Sequence, residues 1–254
     1  MIDHMKRFTR ERKLSMLPQW WRDRIEVNWR ESLRLLEQAQ AEIAEGALVL
    51  DAGSGEGRYK EMLAHTRYVG LDLAVGDAAW DYSGLDTMGD LRKLPFGDET
   101  FDAAVCVQTM EHVNQPFEVT REIGRVLKSG GRYYLSAPMM WYQHQKPHDY
   151  YRYTSFGLEY LLKEYNMRIV EIRPMGGYFW VLSFYLQMLH FLLFPRAQNN
   201  VQRLIQLPLQ VFVQGIFFFL LPIFLYYLDR IDQTKDHTLG WVLIAEKLAD
   251  TALP

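Results

Sequence analysis

A glycine-rich turn directly after a short apolar run is the feature that most constrains the fold of this chain. The segment reads Val49-Leu-Asp-Ala-Gly-Ser-Gly-Glu-Gly-Arg58, so an acid is followed by three glycines at every second position. Glycine adopts backbone angles that other residues avoid, and it lets a ligand approach the main chain closely. The pattern predicts a strand, a tight turn and a helix start, as in α/β folds that bind a ligand at the carboxyl ends of parallel strands.

Apolar runs alternate with segments of helical periodicity along most of the remaining chain. Strands are predicted at 48–50, 68–71, 101–108, 132–136, 168–172 and 240–245, and helices at 22–44, 59–65, 115–127 and 155–165. The glycines within 128–131 predict a turn that closes the third of these helices. The alternation predicts a doubly wound α/β fold around a mostly parallel sheet.

Composition divides the chain into three parts. Residues 1–45 form a basic, helical segment, and residues 46–175 together with 236–250 form the α/β core. Residues 176–235 form a hydrophobic helical insertion before the last strand. An insertion of this composition beside an α/β core is expected to contact either a membrane or another protein surface.

Two apolar stretches of the insertion, 178–194 and 204–228, are each about as long as a membrane-spanning helix. Three arrangements are open: a monotopic hairpin that dips into one leaflet, a spanning hairpin, and a buried dimer interface or substrate lid. Glutamines such as Gln206 are costly in hydrocarbon, and Pro208 and Pro222 are expected to interrupt the helix. We therefore expect a monotopic, membrane-contacting hairpin.

The N-terminal segment favours the same interpretation. Lysine and arginine near an anionic leaflet contribute about 1 kcal/mol each, and tryptophans such as Trp20 and Trp21 are typical of the membrane–water boundary. The cationic residues of this segment include Lys6, Arg7, Arg10, Arg12 and Lys13. A continuous apolar stretch with a small-residue cleavage site does not follow them, so the segment does not have the pattern of a secretory signal. We expect a cytoplasmic protein, peripheral or monotopic on the inner face of the membrane.

Charge and cysteine content exclude other classes. The formal net charge is −3, which argues against an electrostatic nucleic-acid binder, so nucleic acid is not an expected partner. The single cysteine, Cys106, lies in an apolar run, so a buried thiol is expected and no disulfide framework is possible. No set of histidines, cysteines and carboxylates has the spacing of a metal-binding motif, so no metal site is predicted.

Several of these elements together resemble the class I S-adenosylmethionine-dependent methyltransferases, which implies a Rossmann-like fold with a seven-stranded sheet. The resemblance covers roughly residues 45–175 and the last strand, 240–247. The matching positions are Leu50 to Gly57, Asp72, Asp90, Phe101-Asp102, Gln108 to His112 and Arg125-Val-Leu-Lys-Ser-Gly-Gly131. A nicotinamide dehydrogenase is the rival interpretation of the glycines, but Arg58 would then stand where a small residue is required.

The resemblance implies that S-adenosylmethionine is the cofactor. Main-chain amides of the turn would hold its methionine carboxylate, and Asp51 would reach the amino group directly or through water. Asp72 would accept the ribose hydroxyls, and Asp90 with Leu91 would meet the adenine. Each acid taken alone fits a cap or turn, but all three together favour binding. The predicted cofactor-binding residues are Asp51, Gly53, Gly55, Gly57, Asp72, Leu73, Asp90, Leu91 and Gln108.

The segment 144–154 holds the densest group of polar, aromatic and titratable residues, and it follows a predicted strand end. Its Pro-His-Asp-x-x-Arg-x-Thr pattern resembles methyltransferases associated with bacterial polysaccharide and lipid modification. His148 is the predicted general base, because histidine titrates near neutral pH. Asp149 would orient it or bind the acceptor, and Arg152 would hold an acidic or phosphate group of the substrate.

Two alternatives to this assignment remain open. His112 could be the base instead of His148, with His144 as a weaker second choice. The cluster could also be structural, with Asp149 and Arg152 forming an ion pair and Thr154 capping the next helix.

The expected function is methyl transfer to an oxygen of a lipid or lipid-linked glycan at the membrane surface. A hydrophobic or lipid-linked acceptor and the membrane surface are the expected partners, and a homodimer is possible. One alternative is a methyltransferase for a soluble small molecule or a protein, with the insertion as a lid or dimer interface. Another is a non-catalytic assembly protein that keeps the fold. The acceptor and the methylated atom do not follow from the fold.

Overall fold

The computed structural model describes residues 18–76, 80–193 and 199–249, except the side chains of 190–192, 203 and 205. The N-terminal basic cluster between residues 6 and 13 lies outside the described residues. The elements are α1 (Gln19–Arg22), α2 (Val27–Glu42), β1 (Leu48–Ala52), β2 (Arg67–Asp72), β3 (Thr87–Met88), β4 (Phe101–Val107), α3 (Pro116–Val126), β5 (Leu127–Pro138), α4 (Ser155–Lys163), β6 (Met167–Pro174), α5 (Tyr178–Leu193), α6 (Asn200–Gln214), α7 (Leu221–Leu228) and β7 (Gly240–Lys247).

The strands form the predicted seven-stranded sheet, in the order β3-β2-β1-β4-β5-β7-β6. Strands β1 to β5 pair in parallel, and β7 runs antiparallel to β5. The order reverses between β1 and β4, where Leu50 of β1 is aligned with Ala104 of β4. In open α/β sheets a ligand binds at such a reversal, outside the carboxyl ends of the strands.

The core lies along the central strands, which are buried over most of their length. Leu50 of β1, Leu71 of β2 and Ala104 of β4 are fully buried, as continuous apolar runs in parallel strands require. Ile123 of α3 and Leu158 of α4 complete the same cluster. The Rossmann-like α/β fold predicted from the alternation is therefore confirmed.

Three local predictions were wrong or incomplete. Residues 55–65 form consecutive turns instead of a helix at 59–65, since hydrogen bonds such as Lys60 N to Gly57 O (3.2 Å) span three residues. Residues 128–131 do not leave the sheet as a turn but form an irregularity within β5, where Gly130 has φ of 76°. The two-residue strand β3 was not predicted, because so short a segment has no periodicity to read.

The described residues divide into two compact units. One comprises residues 31–173 and 240–249 and contains the sheet; the other comprises residues 18–30 and 174–239, with the gaps stated above. In the second unit, α5 packs against α7, and Trp180 meets Tyr226 edge-on with ring centroids 5.3 Å apart.

The apolar insertion forms a longer helix than predicted. Helical structure runs over Gln206–Ile231, 26 residues, with a π-helical segment at Gly215–Leu220. Pro208 lies inside α6 and Pro222 at the start of α7, so the expected break at these prolines was wrong. The wider π turn directly before Pro222 accommodates its ring, which in a regular helix meets the carbonyl four residues earlier.

Candidate active site

The glycine-rich turn after β1 has the backbone geometry that its sequence predicts. Gly53, Gly55 and Gly57 have φ angles of 85°, 55° and 73°, in the left-handed region that favours glycine. A Cβ atom on Gly53 would lie 2.2 Å from Cγ2 of Thr109, so the turn also packs closely against the residue that follows β4 and Gln108. The turn therefore lies beside the point where the strand order reverses.

Asp51, at the end of β1, is fully buried. Its Oδ2 accepts a 2.6 Å hydrogen bond from the Tyr68 hydroxyl, but Oδ1 has no hydrogen-bond partner among the described residues. Burial raises the pKa of the Asp51 carboxyl to about 7. A buried carboxylate oxygen without a partner is destabilising unless a donor group meets it, and the amino group of S-adenosylmethionine supplies one. This carboxylate therefore fits the predicted cofactor.

Asp72, at the end of β2, braces the turn. Its Oδ2 accepts from the main-chain N–H of Gly55 at 3.0 Å, and its Oδ1 accepts from that of Ala74 at 2.8 Å. Each carboxylate oxygen can accept more than one hydrogen bond, so these contacts leave capacity for ribose hydroxyls. Leu73 beside it is exposed at the same strand end.

Asp90 forms an ion pair that the sequence did not reveal. Arg92 donates to both of its carboxylate oxygens, through Nε at 2.9 Å and Nη2 at 2.5 Å, and lowers the pKa of Asp90. An adenine amino group would share this carboxylate with Arg92. The side chain of Leu91 is buried in the core, which leaves its main chain for the adenine.

Gln108 lies just beyond the carboxyl end of β4, with a left-handed φ of 52°. Its main-chain N–H donates to the Ser136 carbonyl at 3.0 Å, and its Nε2 lies 3.2 Å from Ser136 Oγ. These contacts fix Gln108 between β4 and β5.

A buried acid and two histidines follow these strand ends. Glu111 is fully buried, and its Oε1 lies 3.8 Å from Nε2 of His112 and 4.0 Å from Nε2 of His144. Neither carboxylate oxygen of Glu111 has a hydrogen-bond partner among the described residues. Burial raises the pKa of Glu111 to about 8 and lowers the pKa of His112 to about 4.

Asp149 and Arg152 form the ion pair that was considered as the structural alternative. Arg152 donates from Nη1 to Oδ1 at 2.7 Å and from Nη2 to Oδ2 at 2.8 Å, and it also binds the carbonyls of Trp141 and Tyr142. Asp149 further accepts from the main-chain N–H of His144 at 2.8 Å. The pair therefore braces the loop that carries His144, and Asp149 does not orient the ring of His148 as expected.

His148 lies half-buried on the same loop. Its Nδ1 is 3.2 Å from the Tyr150 hydroxyl, and its main-chain carbonyl lies 2.5 Å from Nδ1 of His112. The two alternative bases are thus neighbours in space. Thr154 caps α4 as expected, since its Oγ1 accepts from the Gly157 N–H at 3.0 Å.

The close approach of Glu111 to His144 was missed in the sequence. The two residues are far apart along the chain, and their spacing matches no motif. One signal was present: each follows a strand of the parallel sheet, and the carboxyl ends of such strands meet at one edge.

Comparisons with known proteins agree with this geometry. Residues 50–135 match the family described as "Methyltransferase domain". The chain is similar to a fatty-acid O-methyltransferase of Mycolicibacterium smegmatis, with 38% identity over 108 residues that cover 38% of each protein. It is also similar to a ubiquinone biosynthesis O-methyltransferase of Xanthomonas oryzae pv. oryzae, with 32% identity over 105 residues, 36% of this chain and 43% of that protein. The chain spans less than half the length of the curated relatives it matches.

Solved structures show the same fold. A sarcosine dimethylglycine methyltransferase candidate from Galdieria sulphuraria superposes with a TM-score of 0.54 at 16% identity, over 87% of this chain and 85% of that one. The sheet order, the glycine-rich turn and the acids at the strand ends define a Rossmann-like nucleotide-binding domain. Residues 50–135 of this fold match a methyltransferase domain, and the similar proteins support S-adenosylmethionine as its cofactor.

Proposed function

We propose that this protein uses S-adenosylmethionine to methylate an oxygen of a lipid or lipid-linked glycan at the cytoplasmic face of a membrane. The observation that carries the proposal is the exposed apolar surface of the second unit. Only 11% of the most apolar stretch of the helix Gln206–Ile231 is buried. An apolar surface of this extent is typical of a membrane or protein contact.

The exposure pattern of α6 favours a membrane. Glutamines recur at every fourth position, 202, 206, 210 and 214, and so lie along one stripe of the helix. This stripe is half-buried, whereas apolar side chains between the glutamines, such as Leu207, Leu209 and Val211, are exposed. Helices of water-soluble domains have the opposite pattern, with the apolar face inward. The exposed apolar side chains of α6, the π-helical segment and α7 include Val201, Leu204, Leu207, Leu209, Val211, Phe212, Leu220 and Phe224.

The N-terminal part of the second unit contains aromatic and basic residues of the kind found at a membrane–water boundary. Trp21 packs edge-on against Phe219 with centroids 5.8 Å apart, and the exposed Trp20 lies beside it. The guanidinium of Arg24 lies 5.1 Å from the ring centroid of Tyr226. Tryptophan, tyrosine and arginine are enriched where a membrane surface meets water, which supports a monotopic arrangement in the plane of the leaflet.

An apolar acceptor fits this location. The similar proteins of M. smegmatis and X. oryzae carry names that refer to a fatty acid and to ubiquinone. His148 is the proposed base that removes the acceptor proton, because its half-buried imidazole lies on the loop beyond β5, at the same sheet edge as the cofactor turn. Asp149 and Arg152 hold this loop in place.

Membrane binding is tested by sedimentation of the full chain with vesicles of phosphatidylglycerol and phosphatidylcholine. We expect the protein in the pellet, and the double substitution Leu220→Glu/Phe224→Glu to leave it in the supernatant. Phe156→Glu is the control, because Phe156 is also an exposed aromatic residue but belongs to the sheet-containing unit. Equal binding of all three proteins would contradict the proposed membrane surface.

The acceptor is tested with S-adenosylmethionine that carries a labelled methyl group and with membranes of the source cells. We expect label in the organic-soluble fraction, and Asp72→Ala to abolish it. Label confined to water-soluble or protein fractions would favour the lid or interface alternative instead. An assembly protein without catalysis would bind the cofactor and transfer no label to any fraction.

A further inference from the structure

We propose that Glu111, His112 and His144 form a binding site for one divalent transition-metal ion of the Zn²⁺ or Co²⁺ type. The site goes beyond the proposed function and does not depend on what the acceptor is. Its members come from the short helix after β4 and from the loop after β5. Two imidazoles and one carboxylate are a donor set that such borderline metals prefer.

The distances suit a single ion. The ligand atoms of the three residues all lie within 4.8 Å of one another. The Oε1 atom of Glu111 is 3.8 Å from Nε2 of His112 and 4.0 Å from Nε2 of His144. With metal bonds of about 2.1 Å, two ligands of one ion are at most about 4.2 Å apart. Small rotations of the side chains would bring all three ligands to bonding distance.

The hydrogen bonds of the two rings involve their Nδ1 atoms. Nδ1 of His112 lies 2.5 Å from the carbonyl of His148, and Nδ1 of His144 lies 3.2 Å from the carbonyl of Tyr142. A carbonyl oxygen only accepts, so each Nδ1 carries the proton. The Nε2 atom of each ring is directed toward Glu111, at 3.8 Å from Oε1 for His112 and 4.0 Å for His144. Fixing of the ring by a second hydrogen bond of this kind is usual for metal-binding histidines.

Glu111 supplies the independent observation that points to a ligand. It is fully buried, and neither of its oxygens has a hydrogen-bond partner among the residues the structure describes. The Nε2 atom of His112 is also buried without a hydrogen-bond partner. A carboxylate that faces nitrogen lone pairs in a buried site is destabilising, because these groups repel each other. A cation between them would attract both the carboxylate and the nitrogens.

The surroundings hold the site in shape. Asp149 accepts from the main-chain N–H of His144, and its Oδ2 lies 3.6 Å from Nδ1 of the same ring. Arg152 fixes Asp149 through two hydrogen bonds. Arg152 offsets the charge of Asp149, so an ionised Glu111 leaves the cluster with one net negative charge, which favours a cation. An ion would add its charge at the sheet edge that carries the glycine-rich turn. A metal there would bind an acceptor oxygen and lower the pKa of its hydroxyl, a role that rests on the proposed function.

The test uses the full-length protein after dialysis against a chelator. Titration with Co²⁺, followed by its visible absorption bands, and with Zn²⁺, followed by calorimetry, should each show one equivalent bound. Glu111→Gln and His144→Ala should each weaken binding at least tenfold. His65→Ala is the matched control and should bind normally, because its ring lies 3.1 Å from the Ile43 carbonyl in a different part of the same unit.

A second readout separates loss of the site from loss of the fold. Zn²⁺ should raise the melting temperature of the wild-type protein but not that of Glu111→Gln, while both proteins bind S-adenosylhomocysteine equally. Binding that is absent in the wild type, or equal in all variants, would overturn the metal site. Neither result would bear on vesicle binding or on label transfer, so the two proposals fail separately.

Discussion

The hydroxyl of Tyr68 on β2 donates a 2.6 Å hydrogen bond to Oδ2 of Asp51, the acid that opens the glycine-rich turn. The other oxygen of this buried carboxylate has no hydrogen-bond partner among the described residues. Burial raises the pKa of Asp51 to about 7, and the hydrogen bond from Tyr68 acts in the opposite direction by stabilising the ionised form. The charge of this carboxylate, which is expected to face the cofactor, therefore depends on pH near neutrality.

Affinity for S-adenosylmethionine should accordingly rise as the pH increases from 6 to about 7.5. Ionisation of a group with a pKa near 7 over this range increases the binding-competent fraction by at most about tenfold. Above pH 8 the affinity should fall again, because the amino group of the cofactor loses its proton with a pKa of about 8. Calorimetric titration at each pH measures this profile.

Two substitutions separate Asp51 from other titrating groups. Asp51→Asn should flatten the rise between pH 6 and 7.5, because the amide does not ionise. Tyr68→Phe should shift the rise to higher pH, because the ionised carboxylate loses its donor. The folded pKa of Asp51 lies above its unfolded value, so its contribution to apo-protein stability is full below about pH 4 and is lost by about pH 7. A rise in affinity that is unchanged in Asp51→Asn would refute the assignment.

Gly53→Ala should abolish cofactor binding, whereas Gly57→Ala should weaken it only moderately. Both residues have a positive φ, at which an L-residue costs roughly 1–2 kcal/mol. The Cβ at position 53 would in addition lie 2.2 Å from Thr109, while no atom lies within 4 Å of a Cβ at position 57. Fluorescence titration with S-adenosylhomocysteine compares the two variants. Equal losses would show that backbone strain alone sets the requirement for glycine.

The sequence predicted most of the fold because its signals are local. The run Val49 to Arg58 combines an apolar strand with residues that only a tight turn needs. Phe101 to Val107 is apolar except for Asp102, because both faces of β4 are buried. The wrong predictions also have physical causes. Residues 59–65 were predicted as a helix but adopt turns, and Pro222 is accommodated by a π turn that hydrophobic periodicity does not predict.

The position of a site residue could be predicted only where the residue lies at the end of a strand that the sequence itself predicts. Asp51 and Asp72 each follow an apolar strand directly, and both lie at the turn as expected. The pairing of Asp90 with Arg92, and the approach of Glu111 to His144, depend on loops whose path the sequence does not fix. Such contacts are tertiary, and a local sequence pattern does not predict them.

Arg152→Lys should destabilise the sheet-containing unit by about 1–3 kcal/mol. A lysine cannot reproduce the two parallel hydrogen bonds to Asp149, which is almost fully buried, nor those to the carbonyls of the loop. Urea unfolding measures the change. Arg121→Lys is the reference, because Arg121 pairs with Glu118 on the surface and such pairs contribute little. A difference between the two variants below about 0.5 kcal/mol would contradict the bracing role of Arg152.

Asp229→Ala should destabilise the second unit and, through it, reduce vesicle binding. The buried carboxylate of Asp229 accepts from the N–H groups of Gly177, Phe179 and Trp180 at 3.0 to 3.3 Å, and from Lys235 Nζ at 2.6 Å. It thereby accepts from donors at the start of α5, and its loss would remove this acceptor from the N–H groups of Gly177 and Phe179.

Removal of a buried acceptor with several charge-assisted partners lowers the free energy of unfolding by about 3 kcal/mol or more. Asp232→Ala is the control. It removes a partly exposed carboxylate that accepts from the Tyr178 N–H, and it should cost about 1 kcal/mol. Hydrogen exchange of the α5 amides distinguishes the two variants, and S-adenosylhomocysteine binding should be unchanged in both. Full protection of α5 and full vesicle binding in Asp229→Ala would show that the hydrogen bonds of Asp229 at the start of α5 do not stabilise the apolar surface. If it lost protection and vesicle binding together while retaining the cofactor site, the second unit would be shown to serve the membrane independently of the methyltransferase domain.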